Sequence, residues 1–339
     1  MNILVAGGAG YIGSHVVKQL SCIKNTKITI LDNLYGGYFD SISVLKTFFS
    51  KDSFNFVHLD LSDFTKVEEL FQTNSFDAVI HFAAHIQVGE SVVNPMKYYM
   101  NNTINTTNLI NMCTKYGVNK FIFSSTAAVY GEPDEVPIKE TTLKSPINPY
   151  GHSKLMSEQV LQDAGNAYKD FNYVILRYFN VAGANRDGDI GECHVPESHL
   201  IPLIIHAAIG KREKIMMFGG DYNTPDGSCI RDYVHVEDLA NAHIKALDYL
   251  EDKKINNIFN CAYGHGFSVK EVIDTVKKVS GIDFKVEIAP RREGDPAELV
   301  ADNTKIREVM GWNPKYDDLE LICKSALSWE QKMMKESRK

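Results

Sequence analysis

Tyr150 and Lys154 are the pair in this chain best suited to moving a proton. They stand four apart in NPYGHSK, and that spacing puts both side chains on one face of a helix. The helical pattern continues through Met156 and Val160. An ammonium near a phenol stabilises its anion and lowers its pKa. A Tyr tuned towards neutrality can take a proton from an alcohol while hydride leaves the same carbon. The expectation is a Tyr150 phenol acidified by Lys154 and by a positive nicotinamide ring. The run FIFSSTAAVYG ends a strand-like segment with three hydroxyls, Ser124, Ser125 and Thr126, each able to hydrogen-bond a reacting oxygen.

Such chemistry needs a hydride acceptor, and the N-terminal residues fit one. Gly7, Gly10 and Gly13 lie in AGGAGYIGSH, after a strand-like run and at the start of a helical one; Gly8, Gly10 and Gly13 also satisfy G-x-G-x-x-G. Without a Cβ the backbone turns sharply and lets a pyrophosphate reach the helix N-terminus. Asp32 ends the second strand-like run, where a carboxylate accepts hydrogen bonds from the adenine ribose. It would repel a 2′-phosphate, and no Arg stands beside it, so the expected cofactor is NAD rather than NADP.

These groups need a frame that delivers them to one edge. Asn2–Ala6, Lys27–Leu31, Asn55–Leu59, Ala78–Phe82, Lys120–Ser124 and Tyr173–Arg177 read as strands, with a helix over Tyr11–Leu20. Short Val-, Ile- and Phe-rich runs alternating with helical stretches indicate βαβ units. The expected fold is α/β, a Rossmann-type doubly wound parallel sheet with a smaller C-terminal α/β lobe. Residues 1–180 form the NAD-binding unit, with segments near 230–265 returning to it, and 181–339 form mainly the substrate lobe. From Ala182 to Ser198 Gly, Asp, Asn and His accumulate, a loop-rich stretch. Beyond it short helices mix with isolated strands such as Phe284–Ile288.

Composition narrows the classes. The 339 residues are 44% hydrophobic and 23% charged, ordinary for a soluble protein with a sizeable core, and the net charge of −7 gives nucleic acid no basic face. No apolar run approaches the roughly 18 residues of a membrane span. Cys22, Cys113, Cys193, Cys229, Cys261 and Cys323 contain no C-x-x-C pair, which argues against a disulfide framework or a zinc site. With no charged leader at Met1, the expectation is a soluble, cytoplasmic protein without a metal.

The motifs together closely resemble the UDP-hexose 4-epimerase branch of the extended short-chain dehydrogenase/reductase family. The likeness spans nearly the whole chain through GGAGYIGSH, DNL, VIHFAA, VGESV, NNT, SSTAAVYG, NPYGHSK, LRYFNVAGA, RDYVHVEDLA and APRREGD. It implies NAD held by Tyr11 and Ile12 at the pyrophosphate, Asp32 and Asn33 at the ribose, and Asp60 and Leu61 beside adenine. Phe82, Ala83, Ala84 and Asn101 lie along the cofactor. It implies Tyr150 as base, Lys154 as its partner, and Thr126, among the three hydroxyls, as the one aligned with the sugar. Phe179 and Asn180 meet nicotinamide and sugar. His199, Leu200, Phe218, Arg231 and Arg292 hold the nucleotide, the arginines as guanidinium forks on phosphate.

Three positions depart from the family pattern. Ile86 stands where many members have a Lys at the nicotinamide ribose, and His199 replaces a common Asn. Leu299, at the sugar's C2 side, is smaller than the Tyr that restricts the pocket to UDP-glucose and UDP-galactose, which leaves N-acetylated sugars open. The implied reaction is C4 inversion through a transient 4-keto sugar. A 4,6-dehydratase is disfavoured, because Ala127 and Ala128 occupy the positions of its acidic pair. A dehydrogenase with exchanging cofactor and a non-catalytic nucleotide-binding regulator are the other readings. The helical stretches Asn101–Tyr116 and Ser153–Ala164 are those that family members pair across a homodimer.

Overall fold

A computed structural model describes residues 1–36, 39–292 and 294–336 of the chain. Its centre is a seven-stranded parallel sheet. In chain order the first half comprises β1 (Asn2–Ala6), α1 (Tyr11–Leu20), β2 (Lys27–Asp32), α2 (Phe39–Lys46), β3 (Phe54–His58), α3 (Phe64–Thr73) and β4 (Ala78–His81). Then come α4 (Val88–Val93), α5 (Pro95–Tyr98), a π-helical turn (Tyr99–Ile104), α6 (Asn105–Lys115), β5 (Lys120–Thr126), α7 (Pro149–Ala167) and β6 (Asn172–Tyr178). The second half holds β7 (Asn180–Ala182), α8 (Leu200–Ala208), β8 (Lys214–Phe218), β9 (Ile230–Arg231), β10 (Tyr233–His235), α9 (Val236–Lys253) and β11 (Asn257–Cys261). It ends with β12 (Phe267–Ser268), α10 (Val269–Ser280), β13 (Lys285–Ala289), β14 (Glu298–Leu299), α11 (Thr304–Met310) and α12 (Leu319–Glu336).

The strand order β11-β6-β5-β4-β1-β2-β3 is that of a doubly wound sheet. Successive side chains alternate faces, so each strand feeds two apolar layers. Ile3 and Val5 join the layer containing Val16, Leu239 and Ala246, while Leu4 and Ala6 join Val67, Leu109 and Leu161 on the other face. Each fully buried aliphatic side chain contributes about 1.5–3 kcal/mol. The order reverses between β1 and β4, which opens a crevice at the carboxyl ends of those strands.

The six expected strands all form, within a residue or two of their expected ends. Two expectations about the second half need correction. The strand expected as isolated runs Lys285–Ala289 and pairs in parallel with β8, partners some seventy residues apart that no local pattern links. The helices there are not all short, since α9 and α12 have 18 residues each. In the second half α9 packs on α1, and β11 pairs with β6. No helix among the described residues is long and apolar enough to cross a membrane, and all six cysteines are free.

Candidate active site

The helix that carries Tyr150 and Lys154 starts where its sequence dictates. The Asn148 side chain accepts from Gly151 N–H at 2.9 Å and Pro149 fills the first turn, a cap-and-start combination that leaves no ambiguity about register. Tyr150 and Lys154 then lie one turn apart, both buried. The neighbouring strand β5 ends at Thr126, whose side chain acts on the Tyr150 phenol in favour of its anion. Of the three candidate hydroxyls, only Thr126 does so. Ser125 Oγ donates to Glu158 Oε1 at 2.5 Å, and Ser124 Oγ faces His243 Nε2 at 3.2 Å.

The electrostatics differ from the expectation in one respect. Burial pushes the Tyr150 phenol up, opposed only by the neighbouring Thr126 side chain. Burial also holds the Lys154 ammonium down, to about 7, with Glu158 pulling it back up. Lys154 Nζ donates to the Ser124 carbonyl at 2.9 Å and sits 4.9 Å above the Phe123 ring. The protein alone therefore does not acidify Tyr150. Desolvation dominates both groups, and a further positive charge in the cleft would lower the phenol's pKa.

Below this pair lies an ion pair that sequence reasoning missed. Arg177 on β6 grips Glu158 on α7 through Nη2–Oε2 at 2.5 Å and Nε–Oε1 at 2.9 Å, and both side chains are almost wholly buried. Arg177 Nη1 also reaches the Tyr130 hydroxyl at 3.0 Å. Glu158 extends the 150–154 spacing by four more residues, a signal in the sequence that passed unread. Asn102 left no such signal. Buried in the π-helical turn, it accepts from His85 N–H at 2.8 Å and donates to Ser153 Oγ at 3.1 Å, and Ser157 Oγ donates to its carbonyl at 3.0 Å. Those bonds tie the turn to α7. Asn101, the residue expected along the cofactor, is half-buried and donates to Asn102 Oδ1 at 3.0 Å.

The Gly-rich turn supports a dinucleotide on steric grounds. Gly7 adopts φ +82°, and a Cβ there would meet Ala83 N at 2.5 Å; one on Gly13 would meet Gly7 O at 2.2 Å. Chain packing explains these two glycines. It does not explain Gly10, where a Cβ would meet only Gly7 O at 3.4 Å. Gly10 caps α1 without any side-chain cap, so the N–H groups of Tyr11 and Ile12 head an open helix terminus of the kind that takes an anion. The Tyr11 side chain itself points elsewhere, its hydroxyl donating to Gly183 O at 2.5 Å. Asp32 is buried and accepts from Ala9 and Leu34 N–H at 2.9 and 2.8 Å, while burial raises its pKa against those bonds. Asn33 donates to Asp60 Oδ2 at 2.5 Å, which joins the ends of β2 and β3 beside buried Leu61. Phe82 and Ala83 donate their N–H groups to Ala6 O, and half-buried Ala84 follows. These residues fit NAD.

The remaining expected residues line the second half. Phe179 is buried with Ala127 and Val129, and Leu299 packs on that cluster. Leu299 also pairs with Arg231 across β14 and β9. Arg231 is buried and bonds Asp295 at 2.9 Å, and the exposed Arg292 stacks its guanidinium 3.9 Å above the half-buried Phe218 ring. Glu293 of the same motif lies outside the described residues. Asn180 is exposed at the start of β7, and Ile86 is exposed as well. His199 heads α8 just before half-buried Leu200, but its Nδ1 engages the Glu192 carboxylate instead of standing free.

A parallel sheet with Thr126, Tyr150 and Lys154 gathered at one strand edge and an uncapped glycine turn at its switch point defines an NAD-dependent enzyme. The family model for the NAD dependent epimerase/dehydratase family matches residues 3–262, and the chain belongs to that family. It is 47% identical over 331 residues to the UDP-glucose 4-epimerase of Halalkalibacterium halodurans, covering 98% of this chain and 96% of that one. Among solved structures, the UDP-Glc/GlcNAc 4-epimerase from Campylobacter jejuni is 56% identical, with a TM-score of 0.86 over 98% of this chain and 99% of that one. The UDP-glucose-4-epimerase of Stenotrophomonas maltophila, solved with bound NAD and formylated UDP-arabinopyranose, has a TM-score of 0.94 at 36% identity, over 99% of each chain.

Proposed function

We propose that this chain inverts C4 of UDP-hexoses as a UDP-glucose 4-epimerase, interconverting UDP-glucose and UDP-galactose, with UDP-GlcNAc and UDP-GalNAc admitted past Leu299. The observation that carries the reading is Tyr150 buried beside Thr126 and Lys154 at the carboxyl edge of a dinucleotide-binding sheet. Bound NAD supplies the two-electron acceptor, and later the donor, that oxidation and reduction at C4 require.

The residues divide the rest of the work. Tyr150 takes the proton of the 4-hydroxyl and returns it after the 4-keto sugar has turned its other face to the cofactor. Thr126 aligns the reacting oxygen, and Lys154 holds positive charge under the phenol. The cofactor's pyrophosphate rests on the N–H groups of Tyr11 and Ile12 behind Gly7, Gly10 and Gly13. Its adenosine lies with Asp32, Asn33, Asp60 and Leu61, and its nicotinamide half along Phe82, Ala83, Ala84, Asn101 and Phe179. Arg231 and Arg292 clamp the diphosphate with His199 and Leu200, and Phe218 packs on uridine. Asn180 and Leu299 border the hexose. Anchoring the nucleotide while leaving the sugar loose concentrates binding energy away from the reacting carbon, as a rotating intermediate demands.

Residues 1–180, with 230–265, carry the cofactor, and the rest of 181–339 carries the UDP-sugar. The protein works in the cytoplasm, in keeping with its free cysteines. Met96, Met100, Ile104 and Met156 are exposed on or beside the two helical stretches named above, an apolar patch suited to pairing with a second copy. The test is incubation with UDP-glucose and separately with UDP-N-acetylglucosamine, reading C4 configuration by NMR. Absence of inversion, or stoichiometric release of reduced cofactor, overturns the activity. Light scattering that shows only monomer overturns the dimer.

A further inference from the structure

The loop between β7 and α8 carries the sequence ECHVPESH, from Glu192 to His199. It folds so that Glu192, His194, Glu197 and His199 each present one ligating atom, all within 4.8 Å of one another. His194 Nδ1 lies 3.1 Å from Glu192 Oε1 and 3.8 Å from Glu197 Oε1, and His199 Nδ1 contacts the same Glu192 oxygen. The Glu192 side chain is buried, and that of Glu197 is 7% exposed. Glu197 Oε1 is pinned by the N–H groups of Ser198 and His199 at 2.7 and 2.8 Å.

Hydrogen bonding alone leaves this cluster unsatisfied. His194 Nδ1 is a buried atom, and its 3.1 Å approach to Glu192 lacks hydrogen-bond geometry, so it has no partner. The two imidazoles aim at one oxygen with ring centroids 5.1 Å apart. A dication supplies the missing partner. Two neutral imidazoles and two carboxylates around it sum to zero charge, and every aimed nitrogen and oxygen gains a partner.

We propose that Glu192, His194, Glu197 and His199 bind one divalent transition-metal ion of the zinc class, outside the Thr126–Tyr150–Lys154 centre. Mixed imidazole and carboxylate donors suit zinc, whereas calcium and magnesium take oxygen alone. Zinc with bonds of about 2.0–2.2 Å sets tetrahedral ligand atoms about 3.4 Å apart, within the range these four atoms span. The argument against zinc from cysteine spacing does not reach this site, because none of its ligands is a cysteine. His199 leaves the set partly open to solvent, with its side chain 38% exposed, which gives an ion a way in.

Because His199 also stands among the proposed diphosphate ligands, the test reads the metal directly and not turnover. The full chain, stripped with chelator and desalted, is titrated with zinc sulfate by calorimetry. A parallel titration uses cobalt(II), whose visible bands intensify in a four-coordinate site. The expected result is one ion per chain, with affinity falling about tenfold or more in Glu197→Gln and in His194→Asn. Circular dichroism and retained NAD binding establish that each variant is folded, and Glu197→Gln carries the comparison if His194→Asn is not. Less than one zinc per chain at micromolar concentrations overturns the proposal. So does unchanged affinity in the folded variant, because other histidines or cysteines would then be the ligands.

Discussion

Lys154 Nζ donates to the carbonyl oxygen of Ser124 at 2.9 Å, tying the helix that carries Tyr150 to the strand that delivers Thr126. The same ammonium is fully desolvated, and its pKa falls to about 7. Positioning and electrostatics are thus one contact, and several consequences can be measured.

Lys154 should make stability rise with pH. Its folded pKa of about 7 lies below the unfolded value of 10.5, so between those limits the unfolded chain binds more protons and deprotonation favours the fold. Below about 7 both states are charged and the penalty is fully present. Urea unfolding without NAD, compared between wild type and Lys154→Met at pH 6.5 and 9.5, should show wild type gaining relative to the variant at the higher pH. An equal difference at both values would refute the burial argument.

Tyr150→Phe removes the phenol oxygen proposed as the proton acceptor and leaves the ring in place. Turnover should fall by about a thousandfold or more, while NAD and UDP binding, followed by protein fluorescence, stay within a few-fold. Retained turnover would remove Tyr150 from the role of base.

The two ends of the glycine turn should respond differently. Gly13→Ala places a Cβ 2.2 Å from Gly7 O, so the melting temperature should drop sharply. Gly10→Ala has room in the protein, so its melting temperature without cofactor should stay close to wild type. Its NAD affinity should nevertheless weaken by about tenfold, roughly 1.4 kcal/mol. A Gly10→Ala variant with wild-type affinity would mean that no ligand approaches there.

Glu158→Gln strands the Arg177 guanidinium in a buried site. Breaking a buried pair from one side costs about 3–5 kcal/mol, readable as a lowered urea midpoint. The double change Glu158→Leu with Arg177→Met should recover much of that loss, since no unpaired charge remains. If the single change is silent, the pair is not desolvated in solution.

Leu299 packs on the cluster containing Phe179, so Leu299→Tyr should narrow the pocket on that side. The expectation is at least a tenfold fall in kcat/KM for UDP-N-acetylglucosamine, with UDP-glucose changed by about threefold or less. Equal losses on both substrates would place Leu299 away from the C2 side.

Much of this was legible in the residues, because the relevant signals are local. The β1–Gly10–α1 unit, the Asn148-Pro149 helix start and the shared face of Tyr150 and Lys154 all follow from periodicity and capping within about twenty residues of chain. The direction of the Tyr150 shift was not legible, since a pKa follows the burial of both partners and not their spacing. Nor was the choice among Ser124, Ser125 and Thr126 legible from spacing, because alternate residues of a strand face opposite ways and only the neighbouring helix decides which face meets Tyr150.

By itself, then, the sequence determined a parallel sheet, its glycine turn and the shared helical face of Tyr150 and Lys154, since backbone sterics and side-chain period act over a few residues. Only tertiary structure decided that β8 finds β13, that Asn33 meets Asp60, that Arg177 closes on Glu158, and that two histidines and two glutamates converge in one loop. Those partners are chosen by how complementary surfaces exclude water when distant segments pack together, and that competition leaves no periodic trace in the chain.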